Sequence, residues 1–215
     1  MEYKVVIMCG GKYRGYDEHP KHLTPVKGEP NVTRTIRLLK EQDVKDIAIS
    51  SNNPAFEKLG VPVLKHHNSY RQEPDATYGD WLDAFYPTNE PTIYLFGDVV
   101  FSPNAIKTIL ETEVEDIMFF ASAPPFCEQY SKPWAEPFAY KVANQTLFRQ
   151  AIERTKVYDH RGCFRRQAVS WELWQVIMNT PLNDIDYTNY VAINDYTCDI
   201  DHPEDVAEIE RWINV

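Results

Sequence analysis

The sequence predicts an α/β fold, with a mostly parallel central sheet of about seven strands and helices on both of its faces. Short apolar runs alternate along the chain with segments of helical periodicity, as in strands joined by crossover helices. Of the 215 residues, 43% are apolar and 25% are charged, which suits a globular protein with a sizeable core. We therefore expect one domain over residues 1–215, with an irregular excursion at about 122–168.

The strand predictions rest on short apolar runs, one of which ends at Gly97-Asp98. Strands are predicted at residues 5–8, 46–51, 61–64, 92–96, 117–121, 138–142 and 190–193. Helices are predicted at residues 32–42, 54–59, 77–85, 104–110, 145–154 and 171–178. A last helix begins at Pro203, which two acidic residues follow, and its apolar residues Val206, Ile209 and Trp212 are expected to face inward.

Charge and composition exclude several classes of partner and site. The net charge of −10 disfavours nucleic acid, because a phosphate backbone requires a basic protein surface. No apolar run approaches the ~20 residues of a membrane span, so we expect no membrane insertion and a cytoplasmic protein. The four cysteines lie far apart and form no C-x-x-C pair, which makes zinc and disulfide sites weak hypotheses.

A long glycine-bearing basic loop separates the first strand from the helix at 32–42. Gly10 and Gly11 allow a ligand to approach the backbone closely, and their N–H groups can surround phosphate oxygens. Arg14 and Lys21 add positive charge on either side of the loop. The P-loop string G-x-x-x-x-G-K-[ST] does not occur, and a dinucleotide fingerprint would enter its helix at once. The sequence therefore predicts a phosphate-binding loop of another kind.

This loop follows an ordered pattern of a glycine pair, an arginine, P-K-x-L and G-x-P. The residues that match are Gly10-Gly11, Arg14, Pro20-Lys21-His22-Leu23 and Gly28-Glu29-Pro30. The pattern resembles the signature loop of the nucleotidyltransferases with a GT-A-like fold. These include sugar-phosphate nucleotidylyltransferases, molybdenum-cofactor guanylyltransferases and cytidylyltransferases. Many members carry the loop arginine one residue later, where this chain has Gly15, so Lys21 is matched more securely than Arg14.

Two later segments extend the resemblance over most of the chain. Gly97-Asp98, after the apolar run 92–96, is similar to the G-D that binds a divalent metal in this family. The string at 199–205 is similar to the D-I-D-x-P-E-D string that closes many members. The resemblance thus implies a Mg²⁺ or Mn²⁺ ion held by Asp98 and Asp201, with Asp199 as the alternative second ligand. It also implies a Rossmann-like, three-layer fold of the nucleotide-diphospho-sugar transferase type.

The resemblance implies the transfer of a nucleoside monophosphate from a nucleoside triphosphate to a small phosphorylated sugar or alcohol, with release of pyrophosphate. Supply of surface-polysaccharide precursors follows from the same resemblance. Lys21 and Arg14 would be catalytic, because they would stabilise the charge on the α-phosphate and the departing pyrophosphate. The residues expected to bind the nucleotide are Cys9, Gly10, Gly11, Lys12, Thr77, Tyr78, Gly79 and Gly97.

A dense basic segment lies at residues 156–167 of this acidic protein. Its arginines Arg161, Arg165 and Arg166 are candidates for binding the phosphate of the acceptor, since guanidinium forks match phosphate geometry. A solvated surface loop is the alternative interpretation of the same segment. The base of the nucleotide and the identity of the acceptor stay open, as does a homodimer.

The sequence is compatible with two other functions. A glycosyltransferase on the same fold would bind a sugar nucleotide through D-x-D near mid-chain, but Asp98 is followed by Val99-Val100. The string Asp199-Ile200-Asp201 has the right letters near the wrong end of the chain. A non-catalytic nucleotide-binding module is the second alternative, because Gly15 stands where relatives have arginine.

Overall fold

The computed structural model describes residues 2–10, 20–66, 81–122 and 135–213. The strands are β1 (Lys4–Met8), β2 (Pro25–Val26), β3 (Glu29–Pro30), β4 (Ile47–Ser50), β5 (Val63–Leu64), β6 (Thr92–Phe96), β7 (Val99–Val100), β8 (Ile117–Ala121), β9 (Pro137–Val142), β10 (Val191–Ala192) and β11 (Cys198–Asp199). The α-helices are α1 (Asn31–Glu41), α2 (Pro103–Glu111), α3 (Gln145–His160), α4 (Ser170–Met178) and α5 (Pro203–Trp212). Two 3₁₀ helices lie at Lys21–Leu23 and Pro54–Lys58.

The central sheet has seven strands in the order β10-β8-β9-β6-β1-β4-β5. Strand β1 pairs in parallel with β4 on one side and with β6 on the other. Strand β9 runs antiparallel to its two neighbours, β6 and β8, while the other pairs in the sheet are parallel. The prediction of a mixed α/β fold with a mostly parallel sheet is therefore confirmed.

Burial in the sheet follows from this pairing. Val5, Val6 and Ile7 of β1 are fully buried, as expected for a strand that lies between two parallel neighbours. Such strands appear in a sequence as continuous apolar runs, and the predictions at 92–96 and 117–121 coincide with the observed strands.

An aromatic cluster packs α3 and the segment at 81–85 against β6 and β9. Tyr94 and Phe148 stack with their ring centroids 5.5 Å apart, and Phe85 meets Tyr140 edge to face at 5.6 Å. Aromatic pairs at these separations add to the stability that burial of their surface provides. The cluster therefore fixes the segment that carries Trp81, whose ring lies 5.3 Å from the ring of Phe96.

Some element predictions need correction. Helix α3 continues to His160, so Lys156 and His160 lie on a helix and not in an irregular segment. Residues 81–85, the described part of the helix predicted at 77–85, form turns. The prediction that Trp212 faces inward is wrong, because Trp212 is 41% exposed. The buried apolar residues of this segment are instead Ile209 in the helix and Ile213, the residue directly after it.

A short antiparallel ribbon of β7 and β11 was not predicted from the sequence. Cys198 pairs with Val100, Asp199 pairs with Val99, and the Ile200 N–H donates to the Asp98 carbonyl oxygen at 2.9 Å. The ribbon joins the turn after β6 to a segment about a hundred residues later along the chain. None of the helices in the described ranges is both long and apolar enough to cross a bilayer.

Candidate active site

The β7–β11 ribbon brings the two acidic segments of the sequence pattern to one place. Asp98 comes immediately before β7, and Asp201 follows β11 by two residues. Parallel strands β1 and β6 are neighbours, so the loop after Met8 and the turn at Asp98 leave the same edge of the sheet. Ligands of open α/β sheets bind outside this carboxyl edge. Three distant parts of the chain therefore meet where a ligand site is expected.

Lys21 forms the centre of this meeting point. Its Nζ atom lies 2.6 Å from Asp98 Oδ2 and 3.9 Å from Asp201 Oδ1. The lysine opens a 3₁₀ helix in which the Leu23 N–H donates to the Pro20 carbonyl oxygen at 2.8 Å. Since Pro20 sets the backbone before Lys21, the predicted P-K pair has a direct structural consequence. One ammonium group is thus flanked by two of the predicted site carboxylates.

Lys21 and Asp98 each stabilise the charged form of the other. Burial of Lys21 disfavours its charged form, but the attraction and hydrogen bond of Asp98 outweigh burial, so the pKa of Lys21 is raised. Burial likewise opposes ionisation of Asp98, yet the nearby Lys21 ammonium outweighs it and the pKa of Asp98 is lowered. His22 is buried, and burial lowers its pKa to about 4. At neutral pH a charged pair therefore stands next to a neutral imidazole.

Gly97 places Asp98 by packing closely against the end of β1. Its N–H donates to the Met8 carbonyl oxygen at 2.9 Å, and an added Cβ would lie 2.5 Å from that same oxygen. Asn31 at the start of α1 donates to the carbonyl oxygens of Gly97 and Val99, at 3.2 and 3.0 Å. Only glycine fits this position, so close packing explains Gly97. Its assignment to nucleotide binding stays a prediction.

A cleft of about 550 Å³ opens at this edge of the sheet. Its lining combines the Lys21 group with a second acidic group and an aromatic wall. The lining residues are Gly10, Lys21, Trp81, Phe96, Asp98, Ala135, Glu136, Pro137, Arg166, Gln167, Val169, Ser170, Trp171, Tyr187, Asp199 and Asp201. The volume is in the range of small-molecule sites, which are typically concave and hold a few polar groups among apolar ones.

Three carboxylates converge within this cleft. One oxygen from each of Glu136, Asp199 and Asp201 lies within 4.8 Å of the others. Hard oxygen donors at such separations suit Mg²⁺ or Mn²⁺. The set contains Asp201 and its predicted alternative Asp199, whereas Asp98 is held by Lys21. Glu136 was missed by sequence reasoning, because it stands beside β9 in no motif and reaches the other two only through the fold.

The three candidate arginines do not share one location. Arg166 lines the cleft, and its Nε donates to Glu172 Oε1 at 2.7 Å. Arg165 instead pairs with Asp184 at 2.9 Å, where both side chains are mostly exposed. Arg161 is exposed at the C-terminal end of α3. Of the three, only Arg166 is among the residues that line the cleft.

The remaining nucleotide candidates fall into two groups. Gly10 lines the cleft, where an added Cβ would lie 2.9 Å from the Cβ of Ala84. Cys9 is fully buried at the end of β1, and burial raises the pKa of its thiol. The candidates that lie outside the described residues are Gly11, Lys12, Arg14, Thr77, Tyr78 and Gly79. Their assignments stay predictions.

Comparison with known proteins gives a family match and several similar folds. The sequence profile of the MobA-like NTP transferase domain matches residues 5–167. An inositol-1-phosphate CTP transferase from T. maritima is similar in structure, with 15% identity, a TM-score of 0.51, and coverage of 100% of this chain and 98% of that one. HddC from Yersinia pseudotuberculosis, complexed with GMP-PN, is 16% identical, with a TM-score of 0.53 and coverage of 98% and 99%.

A third similar structure is the CTP:phosphocholine cytidylyltransferase from Streptococcus pneumoniae. It is 14% identical, with a TM-score of 0.51 and coverage of 98% of this chain and 99% of that one. No curated protein sequence matches the chain. At these identities the structural likeness concerns the fold, while the profile match concerns the sequence itself.

Proposed function

The chain belongs to the MobA-like NTP transferase family, and we propose that it transfers a nucleoside monophosphate from a nucleoside triphosphate to a small phosphorylated sugar or alcohol. Pyrophosphate is the second product. The observation that carries the proposal is Lys21, whose ammonium lies between Asp98 and Asp201 in the cleft. The nucleotidyltransferase resemblance also supports a role in supplying precursors of surface polysaccharides, as a further part of this proposal.

The charges of the described cleft lining favour a bound cation for such a reaction. Two phosphate-bearing substrates must approach each other, and anions repel unless positive charge neutralises them. The described lining contributes Lys21 and Arg166 as positive groups, against four carboxylates. Bound Mg²⁺ or Mn²⁺ would supply the missing positive charge and polarise the phosphate oxygens. We propose Asp98 and Asp201 as its principal ligands, with Asp199 and Glu136 beside Asp201.

Lys21 acts on the reacting phosphate in this proposal. An oxygen of the acceptor phosphate attacks the α-phosphorus, and the bond from that phosphorus to the pyrophosphate oxygen breaks. The attacking phosphate is already an anion at neutral pH, so no side chain needs to remove a proton. The Lys21 ammonium, kept charged by Asp98, donates hydrogen bonds to the α-phosphate and to the departing pyrophosphate. Arg14 is proposed to assist it.

A screen for pyrophosphate release tests the proposal. Purified protein is incubated with Mg²⁺ and with CTP, UTP, GTP or dTTP, against a panel of sugar phosphates, polyol phosphates and phosphocholine. At least one pair should release pyrophosphate and form a nucleotide-linked product, detected by mass spectrometry. Hydrolysis of a sugar nucleotide without pyrophosphate release would favour a glycosyltransferase. Triphosphate binding without turnover on any acceptor would favour a non-catalytic module.

Asp98→Asn then tests the site itself. Loss of this carboxylate removes a proposed metal ligand and the partner of Lys21, so turnover should fall at least about 100-fold. Asp46→Asn is the matched control, because it breaks another lysine–aspartate pair, with Lys4 at 3.1 Å, at the opposite end of β1. Full activity of Asp98→Asn would remove this residue from the mechanism.

A further inference from the structure

We propose that Arg166 and Gln167 bind the phosphate of the acceptor and that Glu172 is a positioning residue for the Arg166 guanidinium. The inference deepens the proposed function and rests on it. It names a subsite at one wall of the cleft, formed by the turn before α4. Of the three arginines in the basic segment, it selects one and excludes its neighbour Arg165.

The first step is the orientation of Arg166. Glu172 lies in the first turn of α4, and its side chain is only 3% exposed, whereas that of Arg166 is 52% exposed. One Glu172 oxygen accepts from Arg166 Nε at 2.7 Å, and the other accepts from the Val169 N–H at 3.1 Å. A buried helix residue thus fixes the arginine through a single nitrogen. Within the described ranges, the two terminal amino groups of Arg166 donate to no protein partner.

These two amino groups are the part of the Arg166 guanidinium whose hydrogen-bonding geometry matches that of a phosphate group. A guanidinium can donate two parallel hydrogen bonds to phosphate oxygens, and such bonds are among the strongest in proteins. Since Arg166 lines the cleft, its free amino groups are available to a ligand there. Arg165 is not among the residues that line the cleft, and its guanidinium pairs with the exposed Asp184 instead.

Gln167 supplies an independent observation. Its Nε2 atom is buried and has no hydrogen-bond partner among the described residues, although the residue lines the cleft. Buried amide donors are nearly always satisfied in proteins, and one left unsatisfied costs stability. The Ala168 N–H donates to Asp159 Oδ1 at 3.0 Å, which fixes the turn directly after this residue. A phosphate oxygen bound by Arg166 would supply the acceptor that Gln167 lacks.

Helix α4 adds a favourable field. It begins at Ser170, and both Ser170 and Val169 line the cleft. The N-terminal end of a helix carries partial positive charge and favours anions. This effect reinforces the two side chains and does not by itself define the subsite.

The aromatic wall indicates what the phosphate is attached to. Trp171 and Tyr187 line the cleft with ring centroids 4.7 Å apart and an interplanar angle of 82°. The indole N–H of Trp171 donates to the Ala135 carbonyl oxygen at 2.8 Å and the residue is only 2% exposed, so Tyr187 supplies most of the aromatic surface that this pair offers to the cleft. The ligand class is therefore a small phosphomonoester with a C–H-rich face, either a sugar or an alkylammonium alcohol.

The experiment compares acceptor binding and turnover in four variants. The probes are glucose 1-phosphate and phosphocholine, each with its unphosphorylated counterpart, titrated against tryptophan fluorescence and used as acceptors in the pyrophosphate assay. Arg166→Gln should weaken binding of the phosphorylated probe about tenfold or more, and Glu172→Gln about fivefold. The KM for the triphosphate and kcat should change less than about twofold, which separates positioning from general damage. Arg165→Gln, the matched control, should bind like the natural protein.

The Gln167→Leu variant distinguishes a loss of acceptor binding from a loss of protein stability. Leucine removes an unsatisfied donor, so the free protein should unfold at the same temperature or higher, while acceptor binding weakens about threefold. Equal losses in Arg165→Gln and Arg166→Gln, or no binding of any phosphorylated probe, would overturn the subsite. An acceptor KM that is unchanged in Arg166→Gln, with pyrophosphate still released, would overturn the subsite and leave the proposed function standing. Acceptor binding that depends on Arg166, without any pyrophosphate release, would support the subsite and contradict the proposed transfer reaction.

Discussion

Two short lysine–aspartate pairs in this protein have similar geometry and different surroundings. Lys21 lies 2.6 Å from Asp98, and Lys156 lies 2.7 Å from Asp83. The first pair lines the cleft, with Asp199 and Asp201 also acting on the lysine. The second joins α3 to the segment at 81–85, away from the cleft lining.

The difference in burial separates their expected roles. The side chain of Asp98 is 25% exposed, while that of Asp83 is 5% exposed. Water can hydrate Asp98 if its partner leaves, but Asp83 would stay buried after losing the ammonium group that pairs with it. The Lys21–Asp98 pair is thus suited to a cleft, where Lys21 can release Asp98 and bind a ligand instead. A pair that holds two elements together is better buried.

The largest expected effect is on catalysis at the first pair. Lys21→Ala should lower pyrophosphate release at least about 100-fold, by analogy with the removal of one donor to a developing charge, worth roughly 3 kcal/mol. The free energy of unfolding should fall by no more than about 1 kcal/mol, because Asp98 can be hydrated. Steady-state kinetics and urea unfolding measure both quantities. An active Lys21→Ala variant would contradict the distinction drawn between the pairs.

The second pair should show the opposite pattern. Lys156→Ala should lower the free energy of unfolding by about 2 kcal/mol, because it leaves the buried Asp83 without this partner. The folded variant should keep its turnover within about threefold, as measured below its unfolding temperature. Glu153→Gln is the control, since Glu153 contacts Lys156 at 3.0 Å from an exposed position. Its effect should stay below about 0.5 kcal/mol.

The pH dependence of stability gives the smallest effect. A carboxyl whose pKa is lowered on folding stabilises the protein above its unfolded pKa, and this contribution is lost as the pH falls through the folded pKa. The pKa of Asp98 is lowered by the Lys21 ammonium, so the pair should stabilise the protein at neutral pH and lose this contribution as the pH falls below the ordinary carboxyl pKa. The stability difference between the natural protein and Asp98→Asn, measured by urea unfolding with a chelator present, should shrink over this range. A difference that stays constant with pH would show that the Lys21 ammonium does not stabilise the ionised carboxylate of Asp98.

Much of the sheet could be predicted because its strands are strongly buried. A strand covered on both faces requires a continuous apolar run, and Thr92–Phe96 and Ile117–Ala121 carry such runs. Short two-residue strands have no periodicity, so the β7–β11 ribbon left no comparable signal. Helix α3 exceeded its predicted end because charged residues on its outer face resembled a loop, while Thr155 remained buried.

The residues of the candidate site likewise divide into those that local sequence patterns predicted and those that they did not. Lys21, Asp98 and Asp201 stand in local patterns that resemble a known family, and the fold places them in one cleft. Glu136 has no such pattern, and nothing in the sequence separates Arg165 from Arg166. Their positions depend on which side of a turn faces the cleft, and neighbouring residues can face opposite ways.

The sequence by itself determined the fold class, the central strands and the basic and acidic residues of the proposed phosphate site, since burial and backbone geometry act over a few neighbouring residues. Only the tertiary structure decided which of those charges meet. Pairing of Val99-Val100 with Cys198-Asp199 brings Asp98 to Asp201, and the turn before α4 sends one arginine to the cleft and the next away from it. Contacts between segments far apart in the chain depend on packing, which no local pattern records.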